Sequence, residues 1–327
     1  MSRKRKLKNR LLVPVEWLGI GLALATIVWL PRRAMFAFCD FISAVMYRFD
    51  RRGKRQALGN LRVLRGQMTR IDEILRYDAD LAAYDPSPAE ARIIRRSYRN
   101  MARTVGYAFW SFRKARERCA ETGLMDEASR RFLAANRPAV TVSGHIGCWE
   151  ILSQLAYLEG HPMMSVAKDI GTTGMTLLLM KARRSIGQEI VSAEGAFKPL
   201  MAGIRSGKSL GLLVDQSVSP KRGGVWVRFL GCPMPVSAAP AFFAAKAKSP
   251  IIVAWSRPLK DGRYRCEFVD SISAEAARDI WATTQRCASD LERVVRRHPS
   301  CWVLNYHYFN HRPRPEDLAT LAEREAR

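Results

Sequence analysis

Apolar and polar residues alternate with two different periods in the second half of this chain. Short apolar runs with the length and composition of β-strands occupy 138–143, 163–167, 188–192, 209–214, 225–229, 251–255 and 265–269. Between them, apolar residues recur every three or four positions, which predicts helices at 148–158, 174–185, 196–205, 236–248 and 274–297. This order of elements predicts an α/β layered domain with a mixed central sheet flanked by helices.

The preceding segment has a helical pattern of apolar residues from Gln56 to Cys119. The pattern breaks at 84–88, which contains two prolines, and Ser87 followed by Glu90 is typical of a new helix start. We therefore predict a helical lead-in over 56–130 and an α/β part over 131–312, which together form one domain over 56–327.

The first 55 residues have a different character, with apolar runs between basic clusters. Residues 11–30 carry a single charge, Glu16, and as a helix would be roughly 30 Å long, just enough to cross a bilayer. A second apolar run, 34–47, is interrupted by Asp40. We predict a membrane anchor over 1–55 that either spans the bilayer or lies at its interface. A buried core helix is the alternative, and a secretory signal is disfavoured because no small-residue cleavage site follows.

The charge of the chain is strongly basic, with 54 Lys and Arg against 30 Asp and Glu, a net charge of +24. Such a balance indicates an anionic partner, which could be nucleic acid, an anionic membrane or an acidic protein. Thirteen of the basic residues lie in the first 60 positions, against three acidic ones, which favours the anionic cytoplasmic leaflet. No helix-turn-helix, zinc-finger spacing or RNA-binding aromatic motif is present. A membrane-tethered nucleic-acid-binding protein is therefore the disfavoured, non-enzymatic alternative.

Candidate chemistry is concentrated in the stretch SGHIGCWE, 143–150, between a predicted strand and a predicted helix. Its His145 could act as a general base if a carboxylate fixed its tautomer, and Glu150 is a carboxylate five positions later. A structural histidine beside an ordinary helix-start acid is the alternative. Cys148 in the same stretch could instead be a nucleophile. The seven cysteines have no CxxC spacing, which is typical of reduced thiols rather than of disulfides or a zinc site.

The sequence GHIGCWE resembles the motif of the membrane-bound lysophospholipid acyltransferase superfamily, in which a His is followed after four residues by Asp or Glu. With Gly, Trp and Glu it is similar to the lipid A biosynthesis (lauroyl/myristoyl) acyltransferase branch, and the similarity continues to about Phe309. The resemblance implies a membrane-associated O-acyltransferase of lipopolysaccharide biosynthesis, facing the cytoplasm at the inner membrane.

On this resemblance, a fatty acyl chain moves from an acyl thioester, on acyl carrier protein or coenzyme A, to a hydroxyl of a lipid acceptor such as a lipid A precursor. Because the thioester is a substrate, no cofactor or metal is implied. Another glycolipid or a lysophospholipid is the alternative acceptor. A lysophospholipid is disfavoured because the Pro-Glu-Gly-Thr block of enzymes that use it is missing.

The resemblance also implies roles for residues after the motif. Lys168, Arg183 and Arg184 occupy positions that bind the polar head or phosphates of the acceptor, although Lys168 is followed by DIGTTG instead of Asn-Pro. Asp215 and Gln216 end a predicted strand and could position a hydroxyl or phosphate. The glycine loop before Gly224 could direct backbone N–H groups at an oxyanion.

Overall fold

The computed structural model describes residues 21, 26–79, 84–167, 183–184 and 187–326. Within them the chain forms eleven α-helices and nine β-strands. The helices are α1 (Arg32–Phe49), α2 (Arg51–Leu64), α3 (Ile71–Ala79), α4 (Pro88–Trp110), α5 (Ala115–Thr122), α6 (Glu127–Ala135), α7 (Trp149–Leu158), α8 (Phe197–Arg205), α9 (Ala239–Ala247), α10 (Ile280–Arg297) and α11 (Pro315–Glu325). The strands are β1 (Gly123–Leu124), β2 (Val140–Ser143), β3 (Met163–Ala167), β4 (Glu189–Ser192), β5 (Ser209–Leu213), β6 (Gly224–Phe229), β7 (Cys232–Ser237), β8 (Ile251–Pro258) and β9 (Tyr264–Ile272).

Seven strands form one mixed sheet in the order β1-β9-β8-β2-β5-β3-β4. Only β8 and β9 pair antiparallel, and every other neighbouring pair in this sheet is parallel. The remaining strands, β6 and β7, form a separate antiparallel hairpin. Because β2 and β5 are parallel neighbours, with Ser143 beside Leu213, the residues that follow these two strands meet at the carboxyl edge of the sheet.

The sheet is covered on both faces, as its apolar strands require. Along β8, Ile251, Val253 and Trp255 belong to one buried cluster, whereas Ile252 and Ala254 belong to another. Successive side chains of a strand point to opposite faces, so the two clusters are the two cores of a three-layer α/β domain. The core with Ile251 includes residues of α9 and α10, and the core with Ile252 includes residues of α7.

The predicted mixed α/β fold is confirmed, and a strand overlaps each of the seven predicted strand segments. The segment 225–229, however, lies in the hairpin and not in the central sheet. Its partner β7 was not predicted, because Pro233 and Pro235 contradict the usual composition of a strand. The hairpin tolerates both prolines because β7 has a single neighbour in it. Most of the predicted helix 174–185 lies outside the described residues.

The helical lead-in begins as the sequence indicates, since Ser87 and Glu90 form a reciprocal capping box at the start of α4. Helix α2 runs without a break across residues 55 and 56, where we placed the domain boundary. Most of the predicted anchor run 11–30 lies outside the described residues. Among the helices that the structure describes, none combines the length and the apolar character needed to cross a bilayer.

Candidate active site

His145 lies in a short, tightly held loop between β2 and α7. The loop is tied to the segment around Trp302, because Gly147 N–H donates to the Cys301 carbonyl at 2.9 Å and Val303 N–H donates to the His145 carbonyl at 3.1 Å. Gly147 has a φ of +63°, and a Cβ atom there would collide with the Ser256 carbonyl oxygen. Only glycine suits this position, and the close approach leaves the loop little freedom.

The imidazole of His145 is held by Asp215. Its Nδ1 lies 2.8 Å from Asp215 Oδ1, while the His145 backbone N–H donates to Oδ2 at 2.9 Å. The Trp302 indole N–H also donates to Oδ2, at 3.0 Å. An ionised carboxylate only accepts hydrogen bonds, so Nδ1 carries the proton and Nε2 keeps its lone pair as an acceptor. The arrangement is that of a histidine base with its orienting carboxylate.

Asp215 remains ionised although its side chain is completely buried. Burial by itself would raise the pKa of this carboxyl group. Interactions with the His145 imidazole, the His145 backbone amide and the Trp302 indole outweigh burial and lower the pKa below its usual value. The carboxylate is therefore a negative charge hydrogen-bonded to the imidazole, and it would stabilise an imidazolium formed by proton uptake at Nε2.

The side chain of His145 is 22% exposed, whereas that of Asp215 is completely buried. The amide nitrogen of Gln216 lies 3.4 Å from Nε2. Trp149 contacts the imidazole edge-to-face with ring centroids 5.0 Å apart, and Tyr306 lies parallel to it at 6.5 Å. A substrate hydroxyl could reach Nε2 between these three side chains.

Glu150 does not orient His145, so that prediction is wrong in its geometry. Arg183 donates to both carboxylate oxygens of Glu150, from Nε to Oε2 at 3.0 Å and from Nη2 to Oε1 at 2.6 Å. The Trp149 indole also donates to Oε1, at 3.0 Å. Burial alone would raise the pKa of Glu150, but Arg183 and Trp149 lower it below the usual value. The positive φ of Gly147 turns the chain between the two residues, and Glu150 packs against Arg183 instead. Whether Glu150 also supports catalysis stays a prediction.

The other residues predicted to bind substrate lie in different parts of the structure. Arg183 is engaged by Glu150, whereas Arg184 is exposed and lines a surface pocket of about 500 Å³ that includes neither His145 nor Asp215. The Gly224 N–H donates to the Ser219 carbonyl within the same loop, and a role of Gly224 in substrate binding stays a prediction. Lys168 lies outside the described residues.

Trp302 and Tyr306, which have no site role predicted from the sequence, lie beside Asp215 and His145. Asn60 is a further residue that was not predicted from the sequence. Its side-chain amide donates to the carbonyls of Leu304 and Tyr306 at 2.7 and 2.6 Å and so holds the segment that contains Trp302. Position alone could not single out these residues, since Asn60 lies 85 residues before the histidine. For Trp302, the resemblance of its segment to the end of the acyltransferase pattern was the available signal.

Cys148 is poorly suited to nucleophilic attack. Its side chain is fully buried, and burial raises the pKa of the thiol far above its ordinary value. Its backbone N–H donates to Ser256 Oγ at 2.8 Å, which serves the fold. We expect Cys148→Ser to keep acyl-transfer activity within about threefold of wild type. Its free energy of unfolding should fall by roughly 1 kcal/mol, because packing around the buried side chain is lost. An acyl group trapped on Cys148, found by mass spectrometry of the intact protein during turnover, would contradict this.

Comparison with known proteins identifies the family of the chain. The family model of bacterial lipid A biosynthesis acyltransferases matches residues 79–310, a span that covers more than half of the chain and contains His145, Glu150, Asp215 and Trp302. No curated protein matches the chain. The matched span starts shortly before α4 and ends just after the segment that holds Trp302 and Tyr306. The chain belongs to the bacterial lipid A biosynthesis acyltransferase family and is an acyltransferase.

Proposed function

We propose that the protein transfers a fatty acyl chain from an acyl thioester to a hydroxyl of a lipid A precursor at the cytoplasmic face of the inner membrane. Membership of the family supports the reaction and the class of acceptor. The observation that carries the mechanism is the hydrogen bond between His145 Nδ1 and the buried carboxylate of Asp215. It leaves Nε2 as the one ring nitrogen able to accept a proton from the hydroxyl.

In the proposed reaction, His145 Nε2 takes the proton of the acceptor hydroxyl as its oxygen attacks the thioester carbonyl. A carbon–oxygen bond forms, and the carbonyl electrons move onto oxygen to give a tetrahedral oxyanion. The carbon–sulfur bond then breaks as the carbonyl re-forms, and the proton on Nε2 passes to the leaving thiolate. The products are the acylated lipid and the free thiol of the carrier.

Two neighbours of His145 have roles in this scheme. Asp215 holds the ring and balances the charge of the transient imidazolium, as its lowered pKa allows. In this scheme the side-chain amide of Gln216, whose nitrogen lies 3.4 Å from Nε2, donates a hydrogen bond to the oxyanion. His145 acts as a base on the hydroxyl, so an acyl-enzyme intermediate has no part in the scheme.

The donor is acyl carrier protein or coenzyme A, both of which are anionic. The net charge of +24 supports attraction to either one. The strongly basic first 60 residues support a location on the anionic cytoplasmic leaflet, where a lipid acceptor would also be found.

The test is a transfer assay with purified protein, acyl carrier protein loaded with a labelled fatty acid, and a lipid A precursor dispersed in detergent. We expect loss of thioester to match the gain of acylated lipid A precursor, with a free carrier thiol as the second product. Lysophosphatidylglycerol in place of the precursor tests the alternative acceptor, and acyl-CoA tests the alternative donor. Acylation of the lysophospholipid alone would overturn the lipid A assignment, while thioester loss without any acylated lipid would overturn the transfer itself.

A further inference from the structure

Helix α1 presents an apolar face to solvent. Phe41 and Phe49 are 63% and 74% exposed, and Val45 and Met46 are about two-fifths exposed. The spacing of Phe41, Val45 and Phe49 places them on one side of the helix, along with the small exposed residues Ala37 and Ala44. We call this surface the α1 face. Exposed apolar patches on a folded protein mark contact sites for membranes or other proteins.

The one acidic residue within this helix does not disturb the α1 face. Asp40 is turned toward α4, where Arg103 binds it through two hydrogen bonds of 2.6 Å, from Nε to Oδ1 and from Nη2 to Oδ2. The same guanidinium lies over the ring of Phe36 at 5.0 Å. The Asp40 charge, which interrupts the apolar run 34–47, is therefore neutralised on the side of α1 that packs against α4. The solvent-exposed side of α1 remains apolar.

Exposed arginines border the α1 face at both ends. Arg33 lies at the start of α1, Arg48 near its end, and Arg51 and Arg52 at the start of α2. None of the ion pairs between described residues involves these four arginines, and the Arg48 guanidinium lies over the ring of Phe49 at 5.8 Å. An apolar helix face with a basic border is the pattern of a helix that lies in the plane of an anionic membrane surface. A second copy of the chain would place like charges against each other in a two-fold contact, which disfavours it.

Two helices, α1 itself and α4, separate the α1 face from the active-site loops. On α4, Arg103 binds α1, while the adjacent Thr104 donates to the Gly147 carbonyl at 3.0 Å and Asn100 donates to the Ser300 carbonyl at 2.8 Å. The same helix therefore holds both α1 and the two loops that carry His145 and Trp302. Given a helix diameter of about 10 Å, a bilayer against α1 would lie roughly 20 Å from the loop that carries His145.

We propose that the α1 face docks on anionic bilayer lipid, with Phe41, Val45 and Phe49 among the acyl chains and the bordering arginines at the phosphates. This contact lies within the predicted anchor region 1–55 but uses α1 instead of the apolar run 11–30, and it rests on the proposed location at the anionic cytoplasmic leaflet. It gives the protein a defined orientation, in which the catalytic domain rests on the membrane through α1. The proposal concerns binding alone, and its test needs no turnover.

The test attaches an environment-sensitive fluorophore to the full-length chain at Val45→Cys. The seven native cysteines are all buried, so the introduced thiol is the reactive one. With vesicles of phosphatidylethanolamine and phosphatidylglycerol, we expect quenching by brominated acyl chains at position 45. The matched control is Phe197→Cys, 50% exposed on α8, where no quenching is expected. This readout reports the position of α1 even if residues 11–30 also bind the membrane.

A second variant, Phe41→Ser with Phe49→Ser, should reduce the quenching at position 45 by at least threefold, while its circular dichroism and melting temperature stay close to those of wild type. Vesicle-bound protein whose label at 45 is unquenched would overturn the proposal, as would failure of the protein to bind the vesicles. Dimerisation without lipid that is abolished by the double substitution would assign the α1 face to a second copy instead. None of these outcomes depends on the acyl-transfer assay.

Discussion

Replacing Asp215 with Asn is expected to lower kcat/KM for acyl transfer by about 10²- to 10⁴-fold. The carboxylate accepts three hydrogen bonds, from the ring and the backbone of His145 and from Trp302. An Asn side chain has one acceptor oxygen, so it cannot meet all three donors, and its NH₂ group facing Nδ1 would favour the tautomer in which Nε2 carries the proton. The steady-state rate of thioester loss measures the effect.

His145→Ala should reduce the rate by a similar factor, and the double variant should be little worse than either single one, because the two residues act as a unit. Trp302→Phe serves as the control, since it removes one donor to Asp215 and leaves the bond to the ring. It should cost much less activity than Asp215→Asn. Near-wild-type turnover in Asp215→Asn would show that Asp215 does not orient the base, and Glu150 would have to be reconsidered.

The second large effect concerns the ion pair of Glu150 and Arg183. Their side chains are 8% and 16% exposed, so Arg183→Met would leave a carboxylate buried without its partner. Loss of one member of a buried pair costs about 3–5 kcal/mol in the free energy of unfolding. Since Arg183 helps to keep the pKa of Glu150 below its usual value, the pair stabilises the fold fully near neutral pH, and this contribution is lost as the pH falls through the lowered pKa. Urea denaturation at pH 7 measures the change.

Two controls accompany this prediction. The double variant Glu150→Gln with Arg183→Met should recover a large part of the loss, because a neutral amide is far less costly to bury than a carboxylate. Arg131→Met breaks the pair with Glu127, whose side chains are 79% and 65% exposed, and should change stability by no more than about 1 kcal/mol. Equal losses in Arg183→Met and Arg131→Met would mean that the Glu150 pair has no special structural importance.

Much of the secondary structure could be predicted from local patterns. Seven strand segments and the start of α4 at Ser87 agree with the sequence analysis, because burial on both sides of a sheet and a capping box each leave a signature within a few residues. The family was also apparent from GHIGCWE and the segments after it, and the comparison confirms it. Strand β7 was missed because its two prolines hide it, and its pairing with β6 depends on the hairpin rather than on strand propensity.

The partner of His145 could not be predicted from spacing. Glu150 is near in sequence, yet the chain turns at Gly147 and the Glu150 carboxylate is bound by Arg183 instead of the imidazole. Asp215 is 70 residues away and reaches Nδ1 because β2 and β5 are adjacent parallel strands. His145 and Asp215 both follow a strand at the carboxyl edge of the sheet. Local spacing does not reveal their proximity, because the order of strands depends on how the whole sheet packs.

The sequence by itself determined the class of fold, the histidine loop and the basic, apolar character of the N-terminal region, since each depends on residues that are close along the chain. Only the tertiary structure decided which carboxylate holds His145, that Arg183 serves Glu150, and that Asp40 is neutralised by Arg103 so that the other side of α1 is an apolar surface. Hydrogen bonds and ion pairs of this kind form between whichever groups the packing of strands and helices brings within about 3 Å, and that packing depends on the apolar residues of the entire domain.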